Sequence, residues 1–542
     1  MARPPGIPKG AKQLNLLESE VHVSDSSPLL HSTEVNPDAP NTPVPSQGRG
    51  SLPVAQKNRI LMLLCAFAFV MTLGENLQPA ALVQIFEAVI CADYYYKHPL
   101  LPNTTATPTT LSRIDRCAVQ PVQKELAILR GFQQLVPLFA GLLCTIPYSL
   151  LAERIGRKRV LILAGAGISA ALFWVIAVCY WRFVPIRWVL LSGIFLFIGG
   201  GDGVLSAITH VMVTDATDRA EGAQIFLYLH AADVISGFFG PAISGLLMEK
   251  GYIWTVLILA ELVVLSGAFV LTLFIPETLD LGCKSPHDAH LTLGSTSIEG
   301  TQQSLRSSKS TSFTGLLNGI RVQISILVAP LIDVLASNRQ ALLLLCIFAP
   351  QTAARELFTV IGLQYSKAKF SLSYAHGNVL LSVFQGAQGL SVLVFLPMIT
   401  RLIAEPRGWS PWTRDRRYAI FSIAMIALGL MIIALAPVLI VEAIALLIIA
   451  TGGCTTGLLL SLLGGTVTSR QVSAVYSAAL MLSLIIRSVT GPIFSALLTK
   501  GFSLGQSWMG LPFAAMSMIV VGVVALSCFI KKEGKEVAGL EF

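Results

Sequence analysis

The chain has 542 residues, of which 54% are hydrophobic and 13% charged, about half the charged share of a soluble domain. Its apolar residues gather into continuous runs of about 20, the length that crosses a hydrocarbon core of ~30 Å. The runs do not alternate apolar with polar, which excludes a membrane β-barrel, and the net charge of +8 lies in short loops without the aromatic-interleaved basic stripe of a nucleic-acid binder.

Residues 1–56 are rich in Pro, Ser, Asn and Gly and read as a disordered cytoplasmic tail. No cleavable signal peptide is visible in them. Within the tail, Asp25-Ser-Ser-Pro-Leu29-Leu30 resembles the acidic dileucine signal that sorts membrane proteins to vacuoles or lysosomes, with plain linker as the alternative. The expected membrane is the plasma membrane.

Twelve apolar segments follow, at 59–87, 126–150, 160–181, 187–213, 223–248, 253–275, 341–364, 376–400, 418–436, 438–463, 473–498 and 508–530. The pattern predicts an all-α polytopic membrane protein with two six-helix halves, 57–276 and 341–532. A Ser/Thr-rich cytoplasmic loop, 277–340, divides them, and 533–542 forms a second cytoplasmic tail.

Orientation follows from the basic residues in short loops. Four lie in 151–159 and five in 401–417, against two at 182–187, one at 250 and two at 367–369. Both termini are therefore expected in the cytoplasm. The loop 92–125 then faces outward and holds the chain's one usable N-glycosylation sequon, at Asn103. Cys91 and Cys117 flank that loop. A disulfide would close it in an oxidising compartment, and free thiols near helix ends are the alternative. The nine cysteines show neither CxxC pairs nor metal-ligand spacing, so no metal and no cofactor is expected.

The halves echo each other. Gly240-PAISGLLMEK-Gly251 resembles Gly491-PIFSALLTK-Gly501, and a glycine cluster precedes each, ending at Gly201 and Gly453. The separations, 39 and 38 residues, suggest an internal duplication of the kind secondary transporters carry.

The stretch Ser149–Val160, SLLAERIGRKRV, resembles the loop between the second and third helices of the major facilitator superfamily, commonly G-x-L-a-D-r-x-G-R-k. Leu151, Ala152, Arg154, Gly156, Arg157 and Lys158 match, while Ser149 replaces Gly and Glu153 replaces Asp. The resemblance extends over about 57–532 and includes the triplet Pro276-Glu-Thr278. It implies a carrier that works by alternating access, with this loop holding the halves together when the carrier faces outward. Glu153 and Arg157, four apart, are expected to pair across a helical turn, with Asp215 a second partner for Arg157.

Ser236-GFFGPAIS-Gly245 resembles the fifth-helix motif of drug and proton antiporters, through Gly240, Pro241 and Gly245, with Ser for Gly at 236 and 244. The wider pattern is similar to fungal multidrug-type facilitators and, more distantly, to the proton-coupled folate transporter group, whose members import.

Charges inside apolar runs are costly and mark functional sites. Here they are Glu75 (beside Asn76), Asp202, Asp233, Arg355, Glu356 and Arg487, with Arg130 nearer the outer end of the second segment. Desolvation favours a carboxylate's neutral form, which makes Glu75, Asp233 and Glu356 candidates for proton exchange. The alternative is interhelical pairing of Asp233 or Glu75 with Arg487 or Arg130. His230, three residues before Asp233, is a candidate proton shuttle. Gln78, Gln133, Gln134, Gln351 and Gln385 are candidate hydrogen-bonding groups, and Phe132, Phe348, Phe358 and Phe384 candidate apolar walls.

No phosphate loop or HExxH motif is present, so neither an ATP-driven pump nor an enzyme is expected. The reading is a monomeric carrier in the lipid bilayer that exports a small organic drug or secondary metabolite, coupled to a proton gradient. Import of a nutrient, or a transporter-like receptor that does not transport, are the alternatives.

Overall fold

The computed structural model describes residues 54–99, 117–217, 219–279, 338–467 and 472–531. Asn103, the dileucine-like segment and most of the central loop lie outside the described residues. Among those described are twelve helices long and apolar enough to cross a membrane. They are α1 Ala55–Lys97, α2 Gln120–Thr145, α3 Arg157–Trp181, α4 Ile186–Ala216, α5 Tyr228–Glu249, α6 Ile253–Phe274, α7 Arg339–Phe370, α8 Tyr374–Ala404, α9 Pro411–Leu435, α10 Leu439–Thr466, α11 Ala478–Leu504 and α12 Gln506–Ser527. Helix is what such runs must form, because lipid offers no partner for backbone N–H and C=O groups.

All twelve belong to one compact unit, Leu52–Phe542. Buried aliphatic and aromatic side chains knit α1–α6 and α7–α12 into two six-helix halves. The first helix runs ten residues beyond the expected 87, and α2 begins six before the expected 126 and stays helical to Ile155. The outward loop is correspondingly shorter than 92–125. Tyr94 and Tyr95 pack against the core around Val122 and Leu126, which gives the polar end of α1 a surface to fold on.

Several helices are irregular near mid-depth. In α1 the ladder breaks at Gln78, because Pro79 supplies no N–H. In α4, Gly200 and Gly201 take positive φ of 80° and 61°, and Asp202 opens the next helical piece. At the matching place in α10, Thr451–Cys454 is a 3-10 turn. Helices α7 and α8 carry π-helical turns at Phe358–Gly362 and Ser391–Phe395. Such turns redirect side chains and recur at functional sites.

The α2–α3 and α8–α9 turns lie at one end of the bundle, here the basic end. At the other, Cys91 at the end of α1 is disulfide-bonded to Cys117, just before α2, with Cα atoms 5.4 Å apart.

Candidate functional site

Between the halves lies a cavity of about 380 Å³. One wall comes from α1 and α5, with Asn76, His230, Asp233, Val234 and Gly237. The other comes from α7, α8, α10 and α11, with Arg355, Glu356, Gln385, Gln388, Thr456 and Arg487 among its residues. Each wall draws on the irregular turns just described. Glu356 stands two residues before the π-turn of α7, and Thr456 two residues after the 3-10 turn of α10.

Of the buried charges expected to matter, Asp233, Arg355, Glu356 and Arg487 line this cavity, together with His230, Asn76 and Gln385. Arg487 Nε stands 2.6 Å from Glu356 Oε2, and an Arg355 Nη donates to Thr456 Oγ1 at 2.8 Å. Glu75 and Asp202 lie behind the wall, their carboxyl groups hydrogen-bonded to each other and with Asp233 the next charge. Two carboxyl groups can form such a bond only by sharing a proton. Asp202 is exposed although it lies within the fourth helix.

This corrects the expected interhelical pairs. Arg487 meets Glu356 of its own half, because α11 and α7 are neighbours there, and Glu75 turns to α4. Arg130 donates to Gln133 on its own helix at 2.9 Å and lies outside the cavity lining. Gln134 packs where α2 meets Gly491 of α11. Of the expected aromatic walls, Phe348 and Phe384 line the cavity, and Phe358 and Phe132 do not. Phe358 and Phe384 stack edge-on, with centroids 5.9 Å apart, and Phe348 joins them in the core of the second half, while Phe132 is exposed. Val234, Val392 and Leu480 add to the apolar cavity surface.

At the disulfide end the halves are latched by buried polar groups. The Lys367 ammonium of α7 pairs with the Glu87 carboxylate of α1 and lies 4.4 Å from the centre of the Tyr374 ring. Gln123 of α2 donates to the other Glu87 oxygen and to the Cys117 carbonyl at 3.1 Å. Gln364 of α7 donates to the Gln123 carbonyl at 2.7 Å. The disulfide thus sits beside the latch and fixes the strand of chain that presents Gln123. Sequence reasoning missed this group. Lys367 was one of several loop charges, and its partner lies 280 residues away.

At the basic end the signature stretch folds sharply. Helix α2 ends at Ile155, Gly156 takes φ 102°, and α3 starts at Arg157. The helical turn that would pair Glu153 with Arg157 is therefore interrupted, and Glu153 and Arg154 are exposed. Arg157 instead pairs with Asp215 of α4 and donates to the Val211 carbonyl at 3.2 Å. Glu277 caps α3, accepting from the Arg157 and Lys158 backbone N–H groups at 2.9 and 3.2 Å; a carboxylate is favoured at a helix N-terminus. Gly156 is required twice over. Its φ is left-handed, and a Cβ there would lie 2.5 Å from Glu277 Oε2. Lys158 Nζ donates to the Leu273 carbonyl at 2.9 Å, so the stretch ties α2, α3, α4 and the end of α6 to one another.

The fifth-helix motif is a packing surface. A Cβ on Gly240 would lie 2.6 Å from Asn76 Cβ, and one on Gly245 2.9 Å from the Ala375 carbonyl oxygen. Ser236 hydroxyl donates to Thr72 Oγ1 at 2.8 Å. Pro241 sits inside the helix, where it removes one backbone donor. The motif holds α5 against α1 on one side and α8 on the other.

Two six-helix halves around a central polar cavity, latched to each other at one end and with the first half braced by a basic cluster at the other, define a membrane carrier of the alternating-access type. The Major Facilitator Superfamily model matches residues 130–490, and the chain belongs to that family. It is 25% identical over 540 residues to the MFS efflux pump atnC of Emericella nidulans, covering 98% of this chain and 97% of that one. It is 27% identical over 484 residues to the MFS-type transporter avaK of Aspergillus versicolor, covering 88% and 92%. Among solved structures it shares the fold of the human organic anion transporter MFSD10, at TM-score 0.52 and 15% identity over 87% of this chain and 99% of that one. It also shares the fold of the nucleoside transporter NupG, at TM-score 0.56 and 11% identity over 86% and 99%.

Proposed function

We propose that the protein exports a small organic compound, a drug or secondary metabolite, from the cytoplasm across the plasma membrane in exchange for protons, and that it works as a monomer. The observation that carries the reading is the cavity itself. Substrate-sized and lined on both walls by ionisable side chains, it lies between halves that are latched at the disulfide end. With the basic end in the cytoplasm, the latched end faces outward and the cavity waits for cargo from within.

The Glu75–Asp202 pair and Asp233 offer protons a place to bind beside the cargo, and displacement of one by the other is the simplest form of antiport. Relatives named as efflux pumps support the outward direction. The basic-end cluster would serve as the inner gate, through Arg157 and Asp215.

Reconstitution tests this. Proteoliposomes with an acidic interior are offered a panel holding an anion (1-naphthoate), a neutral amide (1-naphthamide) and a cation (ethidium), with nigericin to collapse the gradient. Uptake of at least one compound, lost with nigericin, is the expected result. A compound that stabilises the purified protein but shows no flux under any gradient would overturn the carrier reading, and flux indifferent to nigericin would remove the proton coupling.

A further inference from the structure

The two walls of the cavity differ in charge, and the α7 wall has donors to spare. Arg355 spends one Nη on Thr456, and its buried Nε has no hydrogen-bond partner. Its charged neighbours are Glu356 and the like-charged Arg487. Glu356 is already in contact with Arg487. Two guanidinium groups therefore share one carboxylate on this wall, and Arg355 lines the cavity with a guanidinium whose donors are not all taken. Asp233 lies on the opposite wall beside His230, with Glu75 behind it.

A guanidinium out of water needs an acceptor, and its planar fork of donors fits a carboxylate bidentately. The rest of the lining is mixed: Val234, Val392 and Leu480 are apolar, and Gln385 can orient a polar substituent. A volume of about 380 Å³ is at the small end of ligand sites, enough for a compound of one or two rings.

We propose that the cavity selects amphipathic organic anions, with a carboxylate taken by Arg355 beside Thr456 and the apolar body laid against Val234, Val392 and Leu480. The proposal rests on the cavity being the cargo site of the exporter reading and gives that cargo a chemical class. Asp233 reinforces the selection by repelling a second acidic group at the far wall, so monoanions are preferred over dianions.

The test is binding, read without flux, so its failure leaves the carrier reading standing, and a failure of flux leaves this one standing. The full chain is purified in detergent and its thermal midpoint followed with cinnamate, 1-naphthoate and indole-3-acetate, each against its primary amide, with sodium phosphate as an inorganic control. At least one acid is expected to raise the midpoint at concentrations tenfold or more below its amide, with phosphate ineffective. Arg355→Gln should erase the acid–amide difference, and Arg355→Lys should keep part of it. Should Arg355→Gln fail to fold, Thr456→Val gives the second reading, weakening the acid and leaving the amide unchanged. Equal effects of acids and amides, no effect of any acid, an equal effect of phosphate, or a preference that survives Arg355→Gln would each overturn the proposal.

Discussion

Replacing Lys367 by Met tests whether the latch at the disulfide end holds the carrier closed on that side. Glu87 is 3% exposed and the Lys367 side chain 10%, so the substitution strands a carboxylate with its main counter-charge gone. Breaking a buried pair from one side costs about 3–5 kcal/mol. The cost falls on the latched state alone, because opening the outer end lets Glu87 reach water. At ~1.4 kcal/mol per factor of ten, the opening equilibrium should rise by about two to four powers of ten, until the open state dominates. A single cysteine at Thr352, in the cavity lining, reports this. With Cys91 and Cys117 retained and the free cysteines replaced, a membrane-impermeant maleimide added outside should label it at least ~10-fold faster in Lys367→Met. The double variant Glu87→Gln/Lys367→Met removes both charges, and a neutral pair in such a site is close to isoenergetic with the ionic one. Its labelling should fall back towards that of the parent. Unchanged labelling in the single variant, or a double variant as open as the single, would refute the latch.

Glu75→Gln preserves size and can still hydrogen-bond Asp202, but it removes the shared proton. Melting should shift by less than about 1 kcal/mol equivalent while gradient-driven flux is lost; retained gradient dependence would take Glu75 out of the coupling. Arg157→Ala leaves Asp215 without its cation, at a cost of about 1.5–3 kcal/mol. It should slow turnover in the liposome assay without abolishing expression, and normal turnover would reduce the basic stretch to a topological anchor. Gly240→Ala forces a methyl to within 2.6 Å of Asn76 Cβ, and overpacking of this kind costs about 1–3 kcal/mol. A lower thermal midpoint is expected, and an unchanged one would show that α1 and α5 separate easily at that point.

The helices were legible in the sequence because length and continuity of apolar residues are enough to specify them, and the division into six and six followed from the longest polar interruption, 277–340. Asp202 could be singled out because a charge after three glycines breaks an apolar run. Glu356 and Arg487 could be singled out too, but not as partners. The sequence says that a charge is buried and not which face of which helix it occupies, so Arg487 was offered to Asp233 or Glu75 and meets Glu356. The latch was harder still. Glu87 and Lys367 stand at or just past the ends of the expected segments, where charges are ordinary, whereas α1 continues to Lys97 and α7 to Phe370, which places both within helices. Glu153 misled for a local reason. The four-residue spacing to Arg157 implies a turn of helix, but the glycine between them takes a left-handed φ and starts a new one.

The two end clusters differ in kind, and the difference bears on how the carrier moves. The contacts described for Gly156, Arg157, Lys158, Asp215 and Glu277 fall within α2, α3, α4 and the end of α6, all in the first half. They brace that half as a body. The contacts of Glu87, Gln123, Gln364 and Lys367 cross between the halves, as do those of Gly245 with Ala375 and of the Ser382 hydroxyl, which donates to the Phe238 carbonyl at 2.6 Å. A rocking motion needs both kinds: a half stiff enough to turn as a unit, and a seam that exchanges its bonds for water when it opens. On this view the basic stretch contributes rigidity in the state seen here, and its exposed residues, Glu153 and Arg154, are left available to the second half once the cavity closes on the basic side. The buried polar latch is suited to the opposite role. Its charges are stable only while paired or wet, so intermediate openings are costly, and the outer end is driven to be either shut or open.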